Sequence, residues 1–176
     1  MNTAHLHLLL NHFPVIGTMI GSGLLLWGIL KKQPTLKQAA ALLLFLMALV
    51  AVPVFLTGEP AEETIEKLPG ISEAAIEQHE SAATLAIWLM GLTGLAAIGL
   101  LVYSRLRQQA RPTGYPLLLA LSVLCFAAMA RTGYYGGQIR HTEIQPVTGS
   151  GQGTGGGAEA KQNSGQQKEQ KEKEDD

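Results

Sequence analysis

Five histidines, His5, His7, His12, His79 and His141, carry most of the chemistry this chain could perform. A neutral imidazole suits haem iron, copper, zinc and nickel alike, so the ligand type alone does not choose the metal. Helical spacing separates some of the five. His5 and His12 are seven positions apart, on one stripe of a helix but about 10 Å apart along its axis, too far to share one ion. His5 and His7 point apart on a helix and could chelate together only on an extended lead-in. Glu80, beside His79, adds an oxygen donor. Arg131 is a cation within an apolar run, a costly placement normally met by pairing or by a wet cavity. Its candidate partners are Glu77, Glu80 or an anionic group such as a haem propionate. Outward snorkelling or a structural ion pair is the plainer reading.

The elements that must position these residues are four apolar runs, 13–30, 38–57, 81–103 and 115–135. Each approaches or exceeds the ~20 residues a helix needs to cross the hydrocarbon core. Only the last contains a charged residue, Arg131. Lipid cannot satisfy free backbone groups, so the runs must be helices. With their flanks the spans cover about 8–30, 38–57, 79–104 and 115–136. The expected fold is all-α, a transmembrane up-down four-helix bundle over residues 1–143.

Composition supports that reading. Apolar residues make up 47% of the 176 positions and charged residues 15%, against about 25% charge in soluble domains. Ten of the charges fall within 159–176, so a mean hydropathy of +0.16 averages a very apolar body with a polar tail. A water-soluble enzyme is excluded. A net charge of −1 removes the basic footprint a nucleic acid would need. The lone Cys125 allows neither an internal disulfide nor a CxxC motif, and at its depth it reads as buried and inert.

Lys31, Lys32 and Lys37 lie between spans one and two, and Arg105, Arg107 and Arg111 between three and four. Neither loop has an acid, and the positive-inside rule places both in the cytoplasm. Both termini and the loop 58–80 then face outward, periplasmic for an inner-membrane protein of a Gram-negative cell. No Lys or Arg precedes residue 31, so the first span is expected to serve as an uncleaved insertion signal. In the outer loop, Glu59-Pro60 followed by acids reads as the start of a short helix, stopped by Pro69-Gly70. Ser72 can cap a second helix that runs through His79 into span three. The acids of this loop read chiefly as a solvated surface. Residues 144–176 have no apolar period and are expected to be a disordered tail.

On this topology all five histidines fall at the outer face, because the helix ends of one side of such a bundle converge. Below His79 lies a column of Ala83, Ala86, Met90 and Ala97. Small residues there leave room for a flat macrocycle, though close helix packing is their commoner purpose. Gly17-x-x-x-Gly21 is read as packing in the same way. The stretch 133–137, Gly-Tyr-Tyr-Gly-Gly, is expected to loosen the end of span four, with its tyrosines in an interfacial belt.

Several of these residues form a pattern: His5-x-His7 and Asn11-His12-Phe13-Pro14, Thr57-Gly58, His79-Glu80, and Gly136-Gly137 followed by His141. The pattern resembles the bacterial family called domain of unknown function 2231, a predicted membrane protein, over about residues 5–143. The resemblance implies a four-helix membrane domain with histidines at one face. That family is more distantly similar to two-haem b-type cytochromes, but those need histidine pairs toward both faces, and here one face has none. At most one haem is supported.

Two functions follow as expectations. In the first, His12 and His79, with His141, His5 or His7 as further candidates, ligate one haem b or one transition-metal ion near the outer surface. Arg131 would then face a propionate and Glu80 would complete a mononuclear site, serving electron transfer with other membrane or periplasmic redox subunits. In the second, the protein is a non-catalytic assembly subunit of a membrane complex, and the histidines are interface residues. A transporter lacks an intramembrane acid to carry protons, and no nucleophile–base pair points to an enzyme.

Overall fold

A computed structural model describes residues 3–66, 71–107 and 114–140. Every regular element among them is helical: α1 (Thr3–Leu10), α2 (His12–Leu30), α3 (Pro34–Leu56), α4 (Gly58–Ile65), α5 (Glu73–Arg107) and α6 (Gly114–Arg140). His141, Arg111, Pro69-Gly70 and the tail 144–176 lie outside the described residues.

Four stretches, His5–Leu30, Pro34–Ile65, Glu73–Arg107 and Gly114–Ile139, are long and apolar enough to cross a membrane. In the second, α3 alone has 23 residues, about 35 Å at 1.5 Å each. The apolar crossing is therefore complete by Leu56, and the acidic α4 lies beyond it. Large apolar side chains cover the outside of the bundle. Trp88, Leu95 and Leu117 are each about 70% exposed, which water would penalise and lipid does not.

Close approaches fix how the helices run. Gly28 of α2 faces Lys37 of α3, Gly21 faces Leu44, and Gly17 faces Met47. As one number falls the other rises, so α2 and α3 are antiparallel. On α5 and α6, Leu100 meets Gly114, Met90 meets Cys125 and His79 meets Thr132, again in opposite order. Gly94 of α5 packs on Ala48 of α3, and Ser22 of α2 donates to Ser122 of α6 at 2.9 Å. The bundle is thus a ring of α2, α3, α5 and α6, all adjacent pairs packed together. Its core falls into a layer around Leu25, Leu44, Ala97 and Leu118 and another around Met90, Cys125 and Met129.

Gly17 and Gly21 do line a packing seam, as their spacing implies. Each lets α3 come so near that a Cβ would collide with Met47 or Leu44. Ser72 caps α5, its Oγ accepting from Ala75 N–H at 3.4 Å, and α5 continues unbroken through His79 into the bundle. Pro60 stands in the first turn of α4, where its missing N–H costs nothing. One local expectation fails: α6 is helical straight through Gly133–Gly137. The glycines do not end the helix, because packing against α5 outweighs their low helix propensity. Gly136 is instead where the His79 ring of α5 packs against α6.

Candidate functional site

The bundle end that carries α1 and α4 holds the described histidines. Helix α3 arrives there with Pro53 in its last turn and Thr57 as its C-cap. The last carbonyls of a helix have no intrahelical donor, and here side chains supply one. Thr57 Oγ1 lies 2.9 Å from both Pro53 O and Val54 O. His7 Nδ1 on α1 donates to Val54 O at 3.1 Å and stands 3.3 Å from Thr57 Oγ1. At the same end, on the neighbouring helices, His79 Nδ1 of α5 donates to Thr132 O of α6 at 2.9 Å. A Cβ at Gly136 would come within 3.1 Å of the His79 ring, so glycine there lets the imidazole lie flat against α6.

A carbonyl only accepts, so Nδ1 carries the proton in both rings. With Nδ1 so held, each ring is oriented by a carbonyl, as a metal-ligating histidine commonly is through its second nitrogen. Both rings are half-buried, and they are near enough to interact electrostatically.

The other sequence candidates fall into place around this pair. His5 and His12 are exposed, and His12 Nδ1 donates within its own helix, to Leu8 O at 3.0 Å. Arg131 is exposed and reaches Tyr135, with Nε and Nη2 at 3.3 and 3.2 Å from the phenol oxygen and the guanidinium 5.3 Å from the ring centre. With Glu77, Gln78 and Ser81 these two residues line a hollow of about 240 Å³ on the α5–α6 flank, apart from the paired rings. Glu80 is exposed and faces Glu62 of α4 rather than the histidines. Partial burial, then the hydrogen bond and charge of Glu80, then Glu66 and Glu59, push the Glu62 carboxyl up to about 7. Among the described residues, no three His, Cys, Asp or Glu side chains converge as a metal site would require.

Sequence alone assigns no such role to Thr57, Thr132, Gly136 or Glu62. Thr57-Gly58 and Gly136-Gly137 are visible as motifs. Their purpose, to hold one imidazole each, depends on partners far along the chain, Thr57 on His7 and Gly136 on His79.

Four antiparallel apolar helices capped at one end by oriented histidines define a multi-pass α-helical membrane protein. The chain belongs to the family described as predicted membrane protein (DUF2231), whose model matches residues 3–143. Neither a curated protein nor a solved structure matches it.

Proposed function

We propose that the α1/α4 end is a two-histidine binding site, with His7 Nε2 and His79 Nε2 as donors for haem b iron or one transition-metal ion. The observation that carries this is the paired anchoring of both Nδ1 atoms to helix carbonyls, which orients the two rings and makes Nε2 the nitrogen available to a metal when the imidazole is neutral. The donor set fits either group: bis-imidazole ligation serves haem iron, and two imidazoles begin a copper, zinc or nickel site. Bound iron or copper would supply one-electron transfer. The chain's own part is to fix the tautomer through Val54 and Thr132 and to hold the rings between helices. The exposed His5 and His12, Glu80 turned toward Glu62 and Arg131 turned toward Tyr135 stand outside this pair. The excess of Lys and Arg at the opposite end supports an orientation with this site outside the cytoplasm, facing the periplasm in a Gram-negative inner membrane.

The test is an absorption spectrum of the detergent-purified protein, oxidised and dithionite-reduced, with elemental analysis of the same sample. A Soret band that shifts on reduction, or one equivalent of metal, should be lost in His7→Ala and in His79→Ala and kept in His12→Ala. A second reading, an assembly subunit, draws on the same bonds: His7 ties α1 to α3 and His79 ties α5 to α6, as interhelical polar links do in membranes. Protein made with haem and metals available that carries neither would favour that reading.

A further inference from the structure

A second place in the bundle gathers ligands of a different kind. The chain has five methionines and one cysteine, and three of those methionines meet Cys125 in a single core layer. Met90 and Met129 are buried there beside Cys125, and Met47 packs against them. Cys125 Sγ and Met90 Sδ are 3.8 Å apart. Met47 lays its thioether against the backbone of Gly17, between α2 and α3. Sulfur is therefore presented by three different helices, α3, α5 and α6.

The same level holds an unsatisfied oxygen. Ser22 and Ser122 are bonded across α2 and α6, and these helices are antiparallel. One turn toward the α1/α4 end brings Thr18 level with Cys125. Thr18 is fully buried, and its hydroxyl oxygen has no hydrogen-bond partner. A buried hydroxyl without a partner costs about 1–3 kcal/mol, so an orphan beside a sulfur cluster points to a missing occupant.

We propose that Cys125 and Met90, with Met47 or Met129 as a third donor, form an intramembrane site for a soft monovalent cation, Cu(I). Thiolate and thioether are the ligands that select this ion over hard or borderline divalent metals. The bite is suitable: metal–sulfur bonds of about 2.3 Å at a near-tetrahedral angle put two sulfurs about 3.8 Å apart. The charge is also suitable. Cu(I) displaces the Cys125 thiol proton, which leaves to water, and the resulting thiolate–Cu(I) unit with neutral thioethers carries no net charge. A divalent ion at the same donors would leave an uncompensated positive charge in the membrane interior, where such a charge is costly. The site stands apart from the histidine pair and does not depend on it.

The test is a competition between the full-length protein in detergent and the coloured Cu(I)–bicinchoninate complex, under anaerobic reducing conditions. The protein should withdraw one Cu(I) per chain, and copper-edge absorption should show a sulfur shell at about 2.3 Å. Losing a charged thiolate or a neutral thioether should weaken binding by about a hundredfold in Cys125→Ser and about tenfold in Met90→Leu. The measurement is repeated in a His7→Ala/His79→Ala background, where copper held by the histidine pair is removed from the count and the sulfur-bound Cu(I) should remain. Helicity and monodisperse elution identify folded variants. If Cys125→Ser does not fold, Met90→Leu and Met129→Leu, which conserve volume, carry the test. Failure to withdraw copper, a nitrogen shell that disappears with the histidines, or unchanged affinity in the folded sulfur variants would each overturn the proposal and leave the methionines as core filler.

Discussion

The α1/α4 end and the α2–α3–α5 seam are held together by opposite means. At the end, helices are joined by directional bonds from side chain to backbone: His7 to Val54, Thr57 to Pro53 and Val54, His79 to Thr132. Along the seam no such bond is needed. Gly17, Gly21, Gly28 and Gly94 let neighbouring helices approach until a single methyl would collide, and attraction comes from dispersion over closely packed surfaces. The difference separates function from support. Directional bonds fix which nitrogen of a ring is free, whereas close packing fixes only distance. The two histidines at the end are accordingly half-buried and oriented, while the seam pairs glycines with whatever side chain faces them, Met47, Leu44, Lys37 or Ala48.

The largest effect should come from breaking the seam. A Cβ at Gly94 would lie 2.5 Å from Ala48 Cβ, and neither atom is the end of a flexible side chain. Gly94→Ala must push α3 from α5, at about 1–3 kcal/mol for overpacking. Gly91, three residues earlier on the same helix, has open space around it. Gly91→Ala should gain up to about 1 kcal/mol of helix propensity. Thermal unfolding in detergent should therefore move in opposite directions for the two variants. A lowered midpoint for both would mean that the seam is not built on close approach.

At the polar end, His79→Ala removes the donor from Thr132 O and should cost about 1–2 kcal/mol. His12→Ala, whose ring is exposed and bonded only within its own helix, should cost less than about 0.5 kcal/mol. Denaturation of both variants in one detergent checks the ratio. Equal losses would remove the distinction between the oriented pair and the exposed histidines.

What the residues reveal on their own follows the same division. The spans are legible because four long runs with a single charge among them can be accommodated only in lipid. Gly17/Gly21 and Ser72 are legible because their signals lie in the local pattern. The histidine geometry is not. Val54 O and Thr132 O are backbone carbonyls, which have no letter of their own, and they lie far along the chain from the rings they hold. The sequence reading puts His12 first on span one, whereas His7 is the histidine whose ring meets α3, at Val54 and Thr57. The acidic loop reads as a uniform solvated surface because nothing in the order of its glutamates shows that Glu62 and Glu80 face each other across α4 and α5. The contact between Cys125 and Met90 is hidden in the same way, 35 positions apart in the chain.

The carboxyl pair offers a weaker but more specific probe of the polar end. Glu62 is raised from its usual 4.5 to about 7, so the packed arrangement holds a proton that a detached α4 would release. The contribution is fully present below about 4.5, and it is lost as pH rises through about 7. Amide exchange in α4 should therefore be slower at pH 5 than at pH 8, after correction for intrinsic exchange. In Glu62→Gln that difference should flatten, since the amide keeps a donor toward Glu80 at either pH. A pH dependence unchanged by the substitution would assign it to other groups at this end.

The smallest expected effect lies at the opposite end and tests whether that end is only support. Helix α2 closes with Gln33 N–H on Gly28 O at 2.9 Å and Lys32 N–H on Ile29 O at 3.1 Å. This closure places Lys32 at φ 55°, in the left-handed region. Glycine is the usual residue there, because a side chain costs about 1–2 kcal/mol in that conformation. Lys32→Gly relieves the strain but gives the unfolded chain more freedom, worth about 0.4–1 kcal/mol, so the net gain should be about 1 kcal/mol or less. Lys32 also adds a cation at the end that the positive-inside rule reads as cytoplasmic, so the substitution changes charge as well as backbone. Lys31, Lys37, Arg105 and Arg107 remain in the variant, so its orientation, read by labelling single cysteines placed at either end in a Cys125→Ala background, should be unchanged while its melting midpoint rises slightly. An inverted fraction would show that the cations at this end stand near the threshold for orienting the bundle, and that stability had been given up at Lys32 to keep the histidine end on its proper side.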